Sequence, residues 1–196
     1  MGGQRGRPRS EQARRAILDA AGELMLEGGL AAASVEAIAA RAGVSKATIY
    51  KWWPSRGAVA LDGFLDRVQH SIVIPEGAST VEALVHQLDE LVKLFRDSGV
   101  GPLMRAITSQ AESDPEVAEA VRERWLAPRR AVAVDVLRTG IERGELRADL
   151  DIDAVLDLLY GAVYYRLLYE QGPLSPTLAE TLVSVVLGGI GLPASN

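Results

Sequence analysis

Cysteine is absent from the 196 residues, which excludes disulfides, thiol chemistry and cysteine-based zinc sites. His70 and His86 are the only histidines, a poor metal set, so no metal or other cofactor is expected. No apolar run approaches the roughly 20 residues that span a bilayer, and the Arg-rich start is not followed by the apolar stretch of a signal peptide. The chain therefore reads as soluble and cytoplasmic, with no membrane partner. A nucleophile–base pair, a Gly-rich phosphate loop and paired-His spacing are all missing as well, and no enzymatic activity is expected. Strand-like alternation is also lacking. Residues 183–187 form a short β-branched run, but Leu178, Leu182 and Gly189 around it favour a buried helix.

What is present is unevenly distributed. The net charge of −5 looks wrong for a nucleic-acid binder until it is split along the chain. Residues 1–56 carry nine Lys or Arg against five acids, leaving +4, and the other 140 carry 12 against 21, leaving −9. This asymmetry places an anion-binding surface at the N-terminal end and a self-solvating acidic body behind it. A basic tail on an unrelated cytoplasmic protein has the same charge profile, so the helices must decide.

Residues 1–10, rich in Gly, Arg and Pro, read as a flexible basic arm. Ser10 can cap a helix over 11–27, where Ile17, Leu18, Ala21, Leu24 and Met25 recur at helical spacing and Gly28-Gly29 forms the stop. A second helix runs from the Ser34 cap to about Ala42, and Gly43 supplies the left-handed residue of a tight turn. Ser45 caps a short third helix, from Lys46 to about Trp52. Helices are further predicted from Arg56, over 81–97, 104–112 and 114–140, with a kink or break at Pro128, and over 151–170 and 175–188. The fold class is thus all-α: a three-helix N-terminal domain over 11–55 and a larger helical bundle over 56–196.

The two helices joined by Arg41-Ala42-Gly43-Val44-Ser45 have the spacing of a helix-turn-helix. Ile38, Val44 and Ile49 would lock them together, and Trp53 reads as core. Ser45, Lys46, Ala47 and Thr48 are then left on the free first turn of the second helix. Short side chains there let it descend into a major groove, where Lys46 can reach a guanine edge and Thr48 a thymine methyl or a phosphate. Tyr50 and Lys51 follow at the groove's rim, Lys51 either on a phosphate or as a solvated charge.

The full string Ser34-Val-Glu-Ala-Ile-Ala-Ala-Arg-Ala-Gly-Val-Ser-Lys-Ala-Thr-Ile-Tyr-Lys-Trp-Trp-Pro-Ser-Arg56 resembles the DNA-binding signature of TetR-type (tetracycline-repressor-like) regulators. The match covers about residues 11–65. It implies phosphate contacts from Ser34, Tyr50 and Arg56, and base contacts from Lys46, Ala47 and Thr48. Trp52 departs from the commoner pattern, which has His or another small hydrogen-bonding residue there, though its indole N–H can still donate to a phosphate. Arg56 replaces the usual Lys and keeps the charge. Glu36 lies where some relatives read a base, but a carboxylate can only accept from cytosine, and it is left out of the interface.

A regulator of this type holds two recognition helices about 34–36 Å apart, so the acidic body is expected to dimerise. Two apolar stripes are candidates for the interface: Leu156, Leu159, Tyr160, Val163 and Leu167 on one helix, and Leu182, Val185 and Val186 on the last. An intramolecular core is the other account of both stripes, and the resemblance favours the dimer. The middle helices would enclose a small-molecule effector, for which Phe64, Phe95, Met104, Ile107 and Trp125 are the candidates, although aromatic and Met residues at such spacing commonly form core. The function expected is that of a ligand-responsive regulator, most naturally a repressor, binding a palindromic double-stranded DNA operator as a homodimer. The alternatives are an all-helical enzyme or carrier with an accessory helix-turn-helix, and a non-specific DNA organiser, which the −9 body disfavours.

Overall fold

The computed structural model of the chain describes residues 6–68 and 74–190. It is all helical, with no β-strand among the described residues: α1 Gly6–Ala32, α2 Val35–Ala42, α3 Lys46–Tyr50, α4 Arg56–Val68, α5 Thr80–Asp97, α6 Val100–Ala111, α7 Pro115–Ala120, α8 Ala127–Glu142, α9 Ile152–Tyr169 and α10 Leu178–Ile190, with a π-helical stretch over Val121–Leu126 between α7 and α8. Two compact units emerge. The first is Met1–His70 with Ala106–Trp125, and the second is Ser71–Arg105 with Leu126–Asn196.

In the first unit α1 begins at Gly6, so the expected arm is helical over its last five residues and Ser10 lies inside the helix instead of capping it. Pro8 permits this because the first turn of a helix has no use for the missing N–H. Arg5 and the residues before it lie outside the described residues. Gly28-Gly29 breaks the helix as expected, but as a kink. Gly29 takes φ 64° and ψ −158°, and a further short turn follows to Ala32. The core gathers Ile17, Met25, Ile38, Ile49, Phe64 and Trp125, each at most 1% exposed.

The boundary expected at residues 55/56 separates α4 from a unit to which it belongs. α4 packs along α1, and the two backbones meet at paired glycines: a Cβ on Gly22 would sit 2.6 Å from the Gly63 carbonyl oxygen, and a Cβ on Gly63 2.6 Å from that of Leu18. No other residue type permits that approach.

The second unit is built on α5, which packs against α8, α9 and α10. α5 opens on a capping box, in which Ser79 and Glu82 each satisfy the other's backbone N–H. At the end of α9, Glu170 takes the left-handed conformation. The disturbance expected at Pro128 lies just upstream of it. Proline's ring clashes with the carbonyl four residues earlier, here that of Arg124, and the chain relieves this by widening to π geometry over Val121–Leu126 before α8.

Candidate nucleic-acid interface

The helix-turn-helix is fixed by short-range devices. Ser34 Oγ accepts from the Ala37 N–H at 3.1 Å to cap α2, and Ser45 Oγ accepts from the Thr48 N–H at 3.2 Å to cap α3. Between them Gly43 adopts φ 66°, ψ 33°, closing α2 and reversing the chain. Ile38 and Ile49 are fully buried, with α2 packed on α1 and α3 on α2, while Val44 is half-buried.

This leaves Ser45, Lys46, Ala47, Tyr50, Lys51, Trp52 and Arg56 exposed, and Ser34 and Thr48 half-buried. Tyr50 is 54% and Trp52 36% exposed, so both rings face solvent. α3 stops at Tyr50, two residues short of expectation, but the N–H groups of Trp52 and Trp53 still bond the Ile49 carbonyl at 2.9 and 3.0 Å, so the turn tightens without unwinding. Trp53 is 4% exposed and donates its indole N–H to Asp62 at 2.7 Å. The same carboxylate pairs with Arg124.

Two ion pairs were not legible from spacing. Arg41 forks onto Glu27 at 2.6 and 2.9 Å, which ties α2 to α1 and removes Arg41 from the cations facing outward. Lys46, the first residue of α3, pairs with Glu36. The pairing holds the Glu36 carboxyl below its ordinary range and raises the Lys46 ammonium above its own. Glu36 thus restrains the one lysine on the exposed first turn. Opposite charges on the two sides of a tight turn were the available signal.

The other candidate residues divide between the units. Phe64 and Trp125 meet in the first unit, their rings stacked with centroids 6.2 Å apart, and Ile107 is buried there too. Phe95 and Met104 are buried in the second unit, Phe95 edge-on to Tyr164 at 5.6 Å. None of the five lines the second unit's cleft of about 400 Å3 between α8 and α9; they are large apolar side chains placed where burial stabilises most. The two stripes expected at a dimer interface divide by burial within the protomer. Leu156, Leu159, Val163 and Leu167 are at most 2% exposed within the protomer, and Tyr160, Leu182 and Val186 are half-buried, leaving Val185 as the exposed member at 71%. The outward face of α9 instead carries Leu158, Tyr165 and Tyr169, exposed by 61, 55 and 66%.

Two family models match the chain: that of bacterial regulatory proteins of the tetR family over residues 17–62, and that of the tetracyclin repressor-like C-terminal domain over residues 74–186. The uncharacterized HTH-type transcriptional regulator YdeS of Bacillus subtilis (strain 168) is 40% identical over 190 residues, 97% of this chain and 96% of the relative. The HTH-type transcriptional repressor KstR2 of Mycobacterium tuberculosis (strain CDC 1551 / Oshkosh) is 27% identical, covering 89% and 90%. Among solved structures, the TetR family transcription regulator SCO0332 aligns with a TM-score of 0.82 at 36% identity, over 93% of this chain and all of that one.

Proposed function

Because the chain belongs to the TetR family of bacterial transcriptional regulators, we propose that it is a cytoplasmic repressor. In this reading a homodimer sets two α3 helices into successive major grooves of a palindromic operator, and a small-molecule effector bound by the second unit releases it. The observation that carries the DNA reading is the exposed first turn of α3, where Ser45, Lys46, Ala47 and Thr48 project from a module locked by its own caps. Tyr50, Lys51, Trp52 and Arg56 flank it as phosphate donors, and Ser34 stands at the start of α2. The alternative of an enzyme or carrier with an accessory helix-turn-helix is not favoured by family models that span both halves of the chain. Release follows if the effector binds better to a conformation whose recognition helices no longer match the groove spacing. Linkage then requires operator DNA to weaken effector binding by the same factor.

A gel-shift series on operator and scrambled DNA tests the assignment. Lys46→Ala is expected to cost about 1–3 kcal/mol on the operator and to relax base preference, while Tyr50→Phe weakens both DNAs alike through one lost phosphate contact. Equal losses on both DNAs for Lys46→Ala would remove it from base recognition.

Glu36→Gln carries a separate expectation. Freed from its carboxylate, Lys46 becomes available to any phosphate, so affinity for scrambled DNA rises and the log–log salt dependence steepens by about 0.9. An unchanged slope would show that the pair opens on DNA without consequence.

Dimerisation is supported by α9, which is apolar on two faces. Its inner stripe fills the protomer, and its outer stripe of Leu158, Tyr165 and Tyr169, with Val185 of α10, has the character of a surface covered in an assembly.

A further inference from the structure

The cleft between α8 and α9 has a chemical character of its own. Its walls include Leu126, Leu156 and the rings of Tyr160 and Tyr164, and its volume of about 400 Å3 lies within the range of about 300–1,000 Å3 that holds small ligands. Into this apolar lining comes Arg129, 7% exposed. The Asp157 carboxylate also lines the cleft, but it is engaged by Arg130 at 3.0 Å, with Asp153 on the same guanidinium at 2.7 Å. Arg130 is thus taken up by two carboxylates, and Arg129 is the cation set among the apolar walls.

The walls are held in place from behind. Gln87, fully buried on α5, donates to the Arg129 carbonyl at 2.9 Å, and Phe95 meets the Tyr164 ring edge-on. Burial draws the Arg129 guanidinium below its ordinary value, opposed by Tyr164 and Tyr160, and pushes the Tyr160 hydroxyl up. Tyr160 therefore stays a neutral hydroxyl, able to donate. A planar guanidinium reaching an apolar cleft beside a phenol suits a carboxylate better than a spherical anion, because its parallel N–H bonds match the spacing of two carboxylate oxygens.

We propose that this cleft binds a small organic monocarboxylate, its anionic head on Arg129 with the Tyr160 hydroxyl alongside, and its apolar body against Leu126, Leu156 and the tyrosine rings. The assignment deepens the reading of the chain as an effector-controlled regulator and rests on it for the consequence of binding. It names the effector class. Leu126 and Arg129 belong to the stretch with which the chain re-enters the second unit after Trp125.

The test is calorimetric titration of the full chain with 2-naphthoate and octanoate, each against its own primary amide, which keeps shape and removes charge. Each carboxylate is expected to bind at least about tenfold tighter than its amide, since a charge-assisted hydrogen bond replaces a neutral one. Arg129→Gln should bring the carboxylate down to its amide and leave the amide unchanged. Leu126→Glu, at a residue 39% exposed and so tolerant of substitution, should weaken the carboxylate selectively by setting a like charge at the cleft. Equal binding of acid and amide, no heat from either at millimolar concentration, or a preference that survives both variants would overturn the proposal. Gel shifts on the same samples separate the two readings. Specific DNA binding without carboxylate preference removes this proposal alone, and carboxylate preference without specific DNA binding upholds it and removes the regulatory one.

Discussion

Leu158→Glu combined with Val185→Glu is expected to yield a folded monomer whose operator affinity falls by about a hundredfold to ten-thousandfold, the range over which tethering one binding module to another acts. Both side chains are more than 60% exposed, so a carboxylate at either place costs the isolated protomer almost nothing. In a dimer the same carboxylates would be taken out of water opposite apolar partners, at a cost of several kcal/mol each. Inward residues cannot serve this purpose. Leu159 is 1% exposed, and a charge there would break the protomer before it reported on assembly. Sedimentation, circular dichroism and gel shift on the double variant give the three readings needed. A helical monomer with weakened operator binding is the expected result, and a dimer that persists would move the interface away from α9 and α10.

How much of this was legible in the sequence depended on the range of the interaction. Ser34, Gly43, Ser45 and Asp151 act within four residues of themselves, and their caps and turns stand where their chemistry places them. Asp114, followed by Pro115, likewise accepts from the N–H groups of Glu116 and Val117. The face of α9 was not legible, because residues 155, 156, 159, 163 and 167 and residues 158, 165 and 169 are both apolar series at helical spacing, and nothing local says which turns inward. Packing against α5 and α8 decides it. Glu27 with Arg41 and Asp62 with Arg124 are pairs formed by tertiary approach, with no signature in spacing. By sequence alone Arg129 could equally lie on the surface. Its burial belongs to the packing of α8 on α5, where Gln87 donates to the Arg129 carbonyl.

Trp125→Ala is expected to destabilise the protein by about 3–5 kcal/mol, the usual cost of deleting a large buried aromatic side chain. The Trp125 indole is fully buried and stacks on Phe64, also fully buried, at 6.2 Å with 17° between the ring planes. Its removal leaves Phe64 facing a void on one side, where dispersion contacts have no replacement. For a chain of this length each kcal/mol lowers the melting temperature by about 2–4 °C, so the midpoint should fall by about 6–20 °C. Trp125→Phe, which keeps a ring in the stack, should lose markedly less. The contrast also separates core from pocket. A residue whose task was to contact an effector would lose ligand affinity on truncation with little change in the midpoint of the unliganded protein, whereas a core residue shows the whole loss without ligand. Thermal unfolding of the two variants, each without any added compound, decides the matter, and an unshifted midpoint for Trp125→Ala would return Trp125 to the candidates for effector contact.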